Sequence, residues 1–100
     1  MIYITQLIYL KEGQEHAFNE FERIAIPLIQ QYNGQLLLRL RSTEETTIES
    51  SIDVPYEVHF ISFDSEADFD NFMQAPERTE FLYLKGQSLK TSILIKGKKI

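Results

Sequence analysis

At the amino terminus Ile2, Ile4 and Ile8 alternate with Tyr3, Leu7 and Tyr9, a period of two that predicts a strand over Ile2–Leu10. The period then lengthens. Phe18, Phe21, Ala25, Leu28 and Tyr32 recur at steps of 3 and 4, the stripe of an amphipathic helix from about Gly13 to Tyr32. Pro27 removes a backbone donor inside it and is expected to bend its last turns, and Asn33-Gly34 is the left-handed pair that stops it. Alternation resumes over Gln35–Ser42 and again over Pro55–Phe63. Ser65-Glu66-Ala67-Asp68 has the form of a capping box and opens a second helix that buries Phe69, Phe72 and Met73. Pro76 ends or offsets that helix. A short third helix, from about Glu77 to Lys85, presents Phe81 and Leu84 and is closed by Gly86, and a last strand follows over Lys90–Lys96.

The order β-α-β-β-α-β with an extra helical turn predicts an α+β, ferredoxin-like antiparallel sheet over a single domain, residues 1–100. The handedness of the crossovers puts the first and third strands side by side in its middle. Neither face of this sheet reads as wet. One alternation carries Ile2, Ile4, Ile8, Leu36, Leu38, Leu40, Val58 and Phe60; the other carries Tyr3, Leu7, Tyr9, Leu37, Ile61 and Phe63. Two helices cover one face only, and the apolar remainder exceeds what a monomer exposes. A second copy of the chain is the simplest cover, so a homodimer is expected.

Composition narrows the chemistry. Hydrophobic residues at 43% and charged residues at 25% describe a folded globule, and a chain of 100 residues buries enough surface to need no disulfide or structural metal. Cysteine is absent, which removes thiolate nucleophiles, thiolate zinc sites and iron–sulfur clusters. The net charge of -5 argues against a nucleic-acid or anionic-membrane surface. Most of that charge sits in one polar loop, residues 43–53, which holds Glu44, Glu45, Glu49 and Asp53 and no base. The first ten residues lack a basic leader and a cleavage site, so a cytoplasmic protein without a membrane span is expected.

The polar residues inside the strands carry the candidate chemistry. Arg39, Arg41, Glu57 and His59 share one side-chain parity, and a symmetric hairpin sets Arg41 opposite Glu57 and Arg39 opposite His59. In a functional reading His59 is a general base and Arg39 binds a carboxylate or oxyanion, with Arg41 and Glu57 contacting the substrate. In a structural reading the same four residues are an ion-pair ladder closing the dimer. Tyr3, Thr5, Tyr9 and Tyr56 either line an apolar cavity with hydroxyls at its rim or are core side chains with one wet end. His16, one turn from Glu12 and Glu20, lacks a further convergent ligand, so no metal and no other cofactor is expected. The strand Tyr56–Phe63 mimics part of an RNA-recognition strand, but Glu57 stands where a glycine is wanted, and the acidic chain excludes that use.

Several segments together resemble the dimeric α+β barrel superfamily: the run Ile26–Arg39, the pieces Tyr56-Glu57-Val58 and Ile61-Ser62-Phe63, the helix start Ser65-Glu66-Ala67, and Ala75-Pro76-Glu77. The closest likeness is to a small family of unknown function within it, related to antibiotic-biosynthesis-type monooxygenases. The resemblance implies two sheets packed face to face as a homodimer and a small apolar or aromatic-acid ligand. It leaves a cofactor-independent monooxygenase or isomerase, or a purely structural or regulatory dimer, as alternatives. Tryptophan, frequent in the monooxygenase sites, is absent. Superfamily pockets lie between sheet and helices. The leucine-rich alternation is the better candidate for the helix-facing side, which would place Arg39 and His59 at the dimer side instead.

Overall fold

The computed structural model describes residues 1–100 as four strands and four helices, β1 (Ile2–Leu10), α1 (Glu15–Gln31), β2 (Gly34–Arg41), β3 (Glu57–Phe63), α2 (Glu66–Met73), α3 (Pro76–Thr79), α4 (Leu82–Ser88) and β4 (Leu89–Gly97). The strands form one antiparallel sheet in the order β2-β3-β1-β4, so β1 and β3 occupy the centre as the crossover rule requires. This is the ferredoxin-like arrangement.

The apolar stripe of α1 buries Phe18, Phe21, Ala25 and Leu28, and the helix continues through the exposed Pro27 to Gln31. Asn33 stops it in the left-handed region, at φ 60°. Ser65 caps α2 by accepting from the Asp68 amide at 3.1 Å. The Asp68 carboxylate in turn accepts from the Asn33 side chain at 3.0 Å, tying the start of α2 to the turn between α1 and β2. Ile4, Leu28, Ile29, Ile61, Phe63, Phe69 and Phe72 form the central cluster, with the Phe63 ring 5.5 Å from Phe69 and 5.4 Å from Phe72. Each such side chain stabilises the fold by about 1.5–3 kcal/mol relative to exposure.

The third helix departs from expectation. The chain makes two short helices, α3 and α4, and Gly86 lies inside α4. The helix runs on to Ser88, fully buried, whose hydroxyl donates back to the Leu84 carbonyl at 2.8 Å while its own carbonyl accepts from the Lys11 amide at 2.8 Å, and the extended Leu89 follows.

The faces of the sheet also differ from a simple alternation. Ile4 is paired with Ile61 and Ile8 with Glu57, so Ile2, Ile4 and Ile8 share the helix-facing side with Ile61 and Phe63. Val58 and Phe60 point the other way. In β2 the register shifts between Leu36 and Leu38, a bulge at Leu37. One extra residue exchanges the faces. Leu36 packs under the helices, whereas Leu37, Leu38 and Leu40 lie on the open face, 39%, 48% and 49% exposed. Arg39 and Arg41 therefore turn to the helix side. This corrects the expectation that the leucine-rich alternation faces the helices. The open face keeps Tyr3, Thr5, Leu7, Phe60, Ile93 and Ile95, and the molecule is a slab of 36 × 36 × 16 Å with no element covering that side. No helix is long and apolar enough to cross a membrane.

Gly34 begins β2 against the core. A Cβ built there meets the Phe63 ring at 2.6 Å and the Ile29 side chain at 2.8 Å. Gly34→Ala is expected to lower unfolding stability by about 1–3 kcal/mol through overpacking, read as an earlier midpoint in urea with an unchanged slope. Gly13→Ala, by contrast, has open space around its Cβ and strains only the backbone at φ 78°.

Candidate functional site

Glu57 and His59 are two residues apart on β3, which puts both side chains on the helix-facing side of a central strand. The hairpin register sets Arg41 opposite Glu57 and Arg39 opposite His59, the pairing that strand parity predicts. The Glu57 carboxylate, 1% exposed, is the hub. One oxygen accepts from Arg39 Nε at 2.8 Å and from His59 Nε2; the other accepts from Arg41 Nη2 at 2.9 Å and Nε at 3.3 Å. The Arg41 guanidinium also lies 4.3 Å over the Tyr56 ring.

Burial alone would raise the Glu57 pKa, but the hydrogen bonds from His59, Arg39 and Arg41 outweigh it and hold the carboxyl down at about 2. An ionised, acceptor-only carboxylate determines the histidine tautomer. Nε2 of His59 must carry the hydrogen it shares with Glu57, which leaves Nδ1 as the ring nitrogen available for other contacts.

His59 also lines a cavity of about 40 Å³ between sheet and helices. Its walls are largely apolar, from Ile4, Ile61 and Phe63 on the sheet to Phe21, Ala25 and Phe72 on the helices. Four further polar side chains enter it: Gln6, Glu22, Arg78 and Lys85. Glu22 is 8% exposed, and burial raises its pKa against the opposing pull of His59 and Lys85. Arg78, 5% exposed, donates to the Met73 carbonyl at 3.1 Å and lies 5.6 Å over Phe21 and 5.5 Å over Phe72. Burial lowers the pKa of both Arg78 and Lys85.

The structure brings Arg39, Arg41, Glu57 and His59 together and leaves Tyr3 and Thr5 apart from them. Those two residues occupy odd positions of β1 and so face the open side, where they border a shallow depression with Leu37, Phe60 and Ile95. The Tyr9 hydroxyl donates to the Asp53 carbonyl at 2.7 Å and fastens the acidic loop. His16 is exposed on α1, and no group of three histidine, aspartate and glutamate side chains converges on a common point.

Glu22, Arg78 and Lys85 were outside the candidate set read from strand parity. Glu22 had a signal: it falls inside the apolar stripe of α1, between Phe18, Phe21 and Ala25. Arg78 and Lys85 had none, because two short helices of mixed composition carry no period.

The depressed pKa of Glu57 has a definite sign. A carboxyl held below its unfolded value contributes stability that is present above about pH 4.5 and is lost as pH falls toward about 2. Glu57→Gln is expected to remove that acid-range dependence and to lower stability near neutral pH by about 1–3 kcal/mol, since the half-exposed arginines regain water. Urea titrations of both proteins from neutral pH down to about pH 3 check it. An unchanged acid slope in the variant would show that Glu57 is not the group responsible.

No protein-family model and no curated protein matches the sequence. Solved structures do match the fold. A protein of unknown function from Rhodopseudomonas palustris superposes with a TM-score of 0.83 at 17% identity, over 99% of this chain and 82% of that one. A DABB-family protein with a ferredoxin-like fold from Mesorhizobium loti superposes with a TM-score of 0.73 at 14% identity, over 99% and 96% of the two chains. A dimeric protein of unknown function and ferredoxin-like fold from Bacteroides fragilis does so with a TM-score of 0.72 at 10% identity, over 98% and 95%. At these identities the likeness speaks for architecture alone: the chain has the ferredoxin-like α+β fold.

Proposed function

We propose that the protein is a homodimeric α+β barrel whose subunits each bind a small, largely apolar organic ligand, an aromatic acid among the candidates, between the sheet and the helices. One observation carries this reading. An apolar cavity in the core receives several buried polar side chains at once, which is the composition of a ligand site and an expensive way to build a core. Packing alone would favour apolar residues where His59, Glu22 and Arg78 stand.

The dimer belongs to the same proposal. Leu37, Leu38, Leu40, Ile93 and Ile95 are all more than a third exposed on one flat face, next to the half-buried Tyr3, Leu7 and Phe60. Closure by a second copy removes that patch from water. It also covers the depression at Tyr3 and Thr5, which makes them interface residues.

The carboxylate-oriented imidazole favours a second reading, in which His59 is the general base of a cofactor-independent monooxygenase or isomerase, with Arg39 and Arg41 holding the carboxylate that orients it.

Two measurements test the proposal. Light scattering at micromolar concentration is expected to give twice the 11.7 kDa subunit mass, and Leu38→Arg is expected to shift it to the monomer. A monomer mass for the native chain would remove the barrel. In NMR titrations with benzoate and benzene, shifts are expected at Phe21, Ile61 and Phe72. Shifts confined to Tyr3, Thr5 and Phe60 would place the ligand on the open face and remove the sheet–helix site.

A further inference from the structure

The polar end of the ligand can be read from two side chains that enter the cavity from opposite walls, Glu22 from α1 and His59 from β3. Neither wall satisfies the other. Glu22 takes part in none of the protein's ion pairs and in no side-chain hydrogen bond, although it is more than nine-tenths buried. No fully buried side-chain oxygen or nitrogen is left unpartnered, so the Glu22 carboxyl and the free His59 Nδ1 both retain contact with the cavity's open space.

The protonation of each group follows from its surroundings. An isolated carboxyl in an apolar site avoids the desolvation of its charge by keeping its proton. Lys85 on α4, Arg78 on α3 and His59 and Arg39 on the sheet favour the Glu22 anion, Glu57 opposes it, and burial prevails. Burial thus favours the protonated carboxyl, which offers an O–H donor. On the facing wall Glu57 takes the hydrogen of Nε2, and in the neutral ring Nδ1 offers a lone pair. A donor on one side and an acceptor on the other call for a group that accepts and donates at a single atom. A hydroxyl does so. A carboxylate meets a lone pair at Nδ1, and a hydrocarbon leaves both walls unpaired. Of the two cations, Arg78 is committed to the Met73 carbonyl and to two aromatic faces, and Lys85 lies 6.0 Å over the Phe21 ring.

We propose that the site recognises the hydroxyl of a small aromatic or enolic compound, which donates its hydrogen to His59 Nδ1 and accepts one from the Glu22 carboxylic acid. The inference rests on the sheet–helix ligand site proposed above. At about 40 Å³ the cavity has the size for a hydroxyl-bearing end rather than a whole ring, which at about 150 Å³ requires the short helices α3 and α4 to move outward.

Phenol, benzoate and toluene, titrated by calorimetry and thermal shift at about pH 6, separate the possibilities, since phenol is neutral there and benzoate is ionised. Phenol is expected to bind at least tenfold more tightly than toluene or benzoate and to raise the melting temperature by several degrees at saturation. Glu22→Leu is expected to fold and to lose at least tenfold in phenol affinity with toluene unaffected, whereas Glu22→Gln, which keeps a donor, retains most of it. Equal binding of phenol and toluene would overturn the hydroxyl reading while leaving the ligand site in place. So would tighter binding of benzoate, which would point to an anion site on Arg78 and Lys85. Failure of all three compounds to bind the native protein would overturn the ligand site and this inference together.

Discussion

A buried carboxylate on the central strand organises this molecule. Glu57 sits at 1% exposure, where a lone charge is prohibitive, and it is tolerated because two arginines and a histidine surround it. Those donors come from two strands, so the ion cluster clamps the edge strand β2 to β3 next to the long acidic loop. The same carboxylate takes the hydrogen of His59 Nε2 and leaves Nδ1 free for other contacts. Fold and site share a single charge.

The architecture was legible in the chain because periodicity changes sharply at Leu10, at Gly34 and at Ser65, each with its own stop or cap chemistry. Ser65 and Asn33 perform the roles their residue types suggest. The short helices were less readable. Gly86 reads as a terminator, yet the helix passes through it to the buried Ser88, where the chain pairs with Lys11 in a contact that no local pattern announces. The pairing of Arg41 with Glu57 and of Arg39 with His59 followed from hairpin symmetry alone.

Which face those four residues share did not follow, because parity arguments assume an unbroken ladder and β2 contains one extra residue. The bulge also explains why Leu36, Leu38 and Leu40 read as a single alternation. Even positions of β2 serve the core before Leu37 and the open face after it, so a single alternation spans two environments. Glu22 illustrates the converse. It interrupts an apolar stripe, a local conflict of the kind that marks function more often than error, yet only the tertiary arrangement shows what it faces.

The bulge at Leu37 acts as a phase shifter between two sets of constraints on one strand. Residues before it serve the core packed by α1, and residues after it form the open face. The ion cluster rides on the second half, where its arginines alternate with the leucines of the open face. A substitution on the open face at Leu38 or Leu40 therefore leaves Arg39 and Arg41 in register with Glu57 and His59. Deleting Leu37 would leave an unbroken ladder, with Leu38 still opposite Phe60, Arg39 opposite His59 and Arg41 opposite Glu57. The bulge is thus the one place in β2 where the strand can lose a residue and keep its arginines on Glu57.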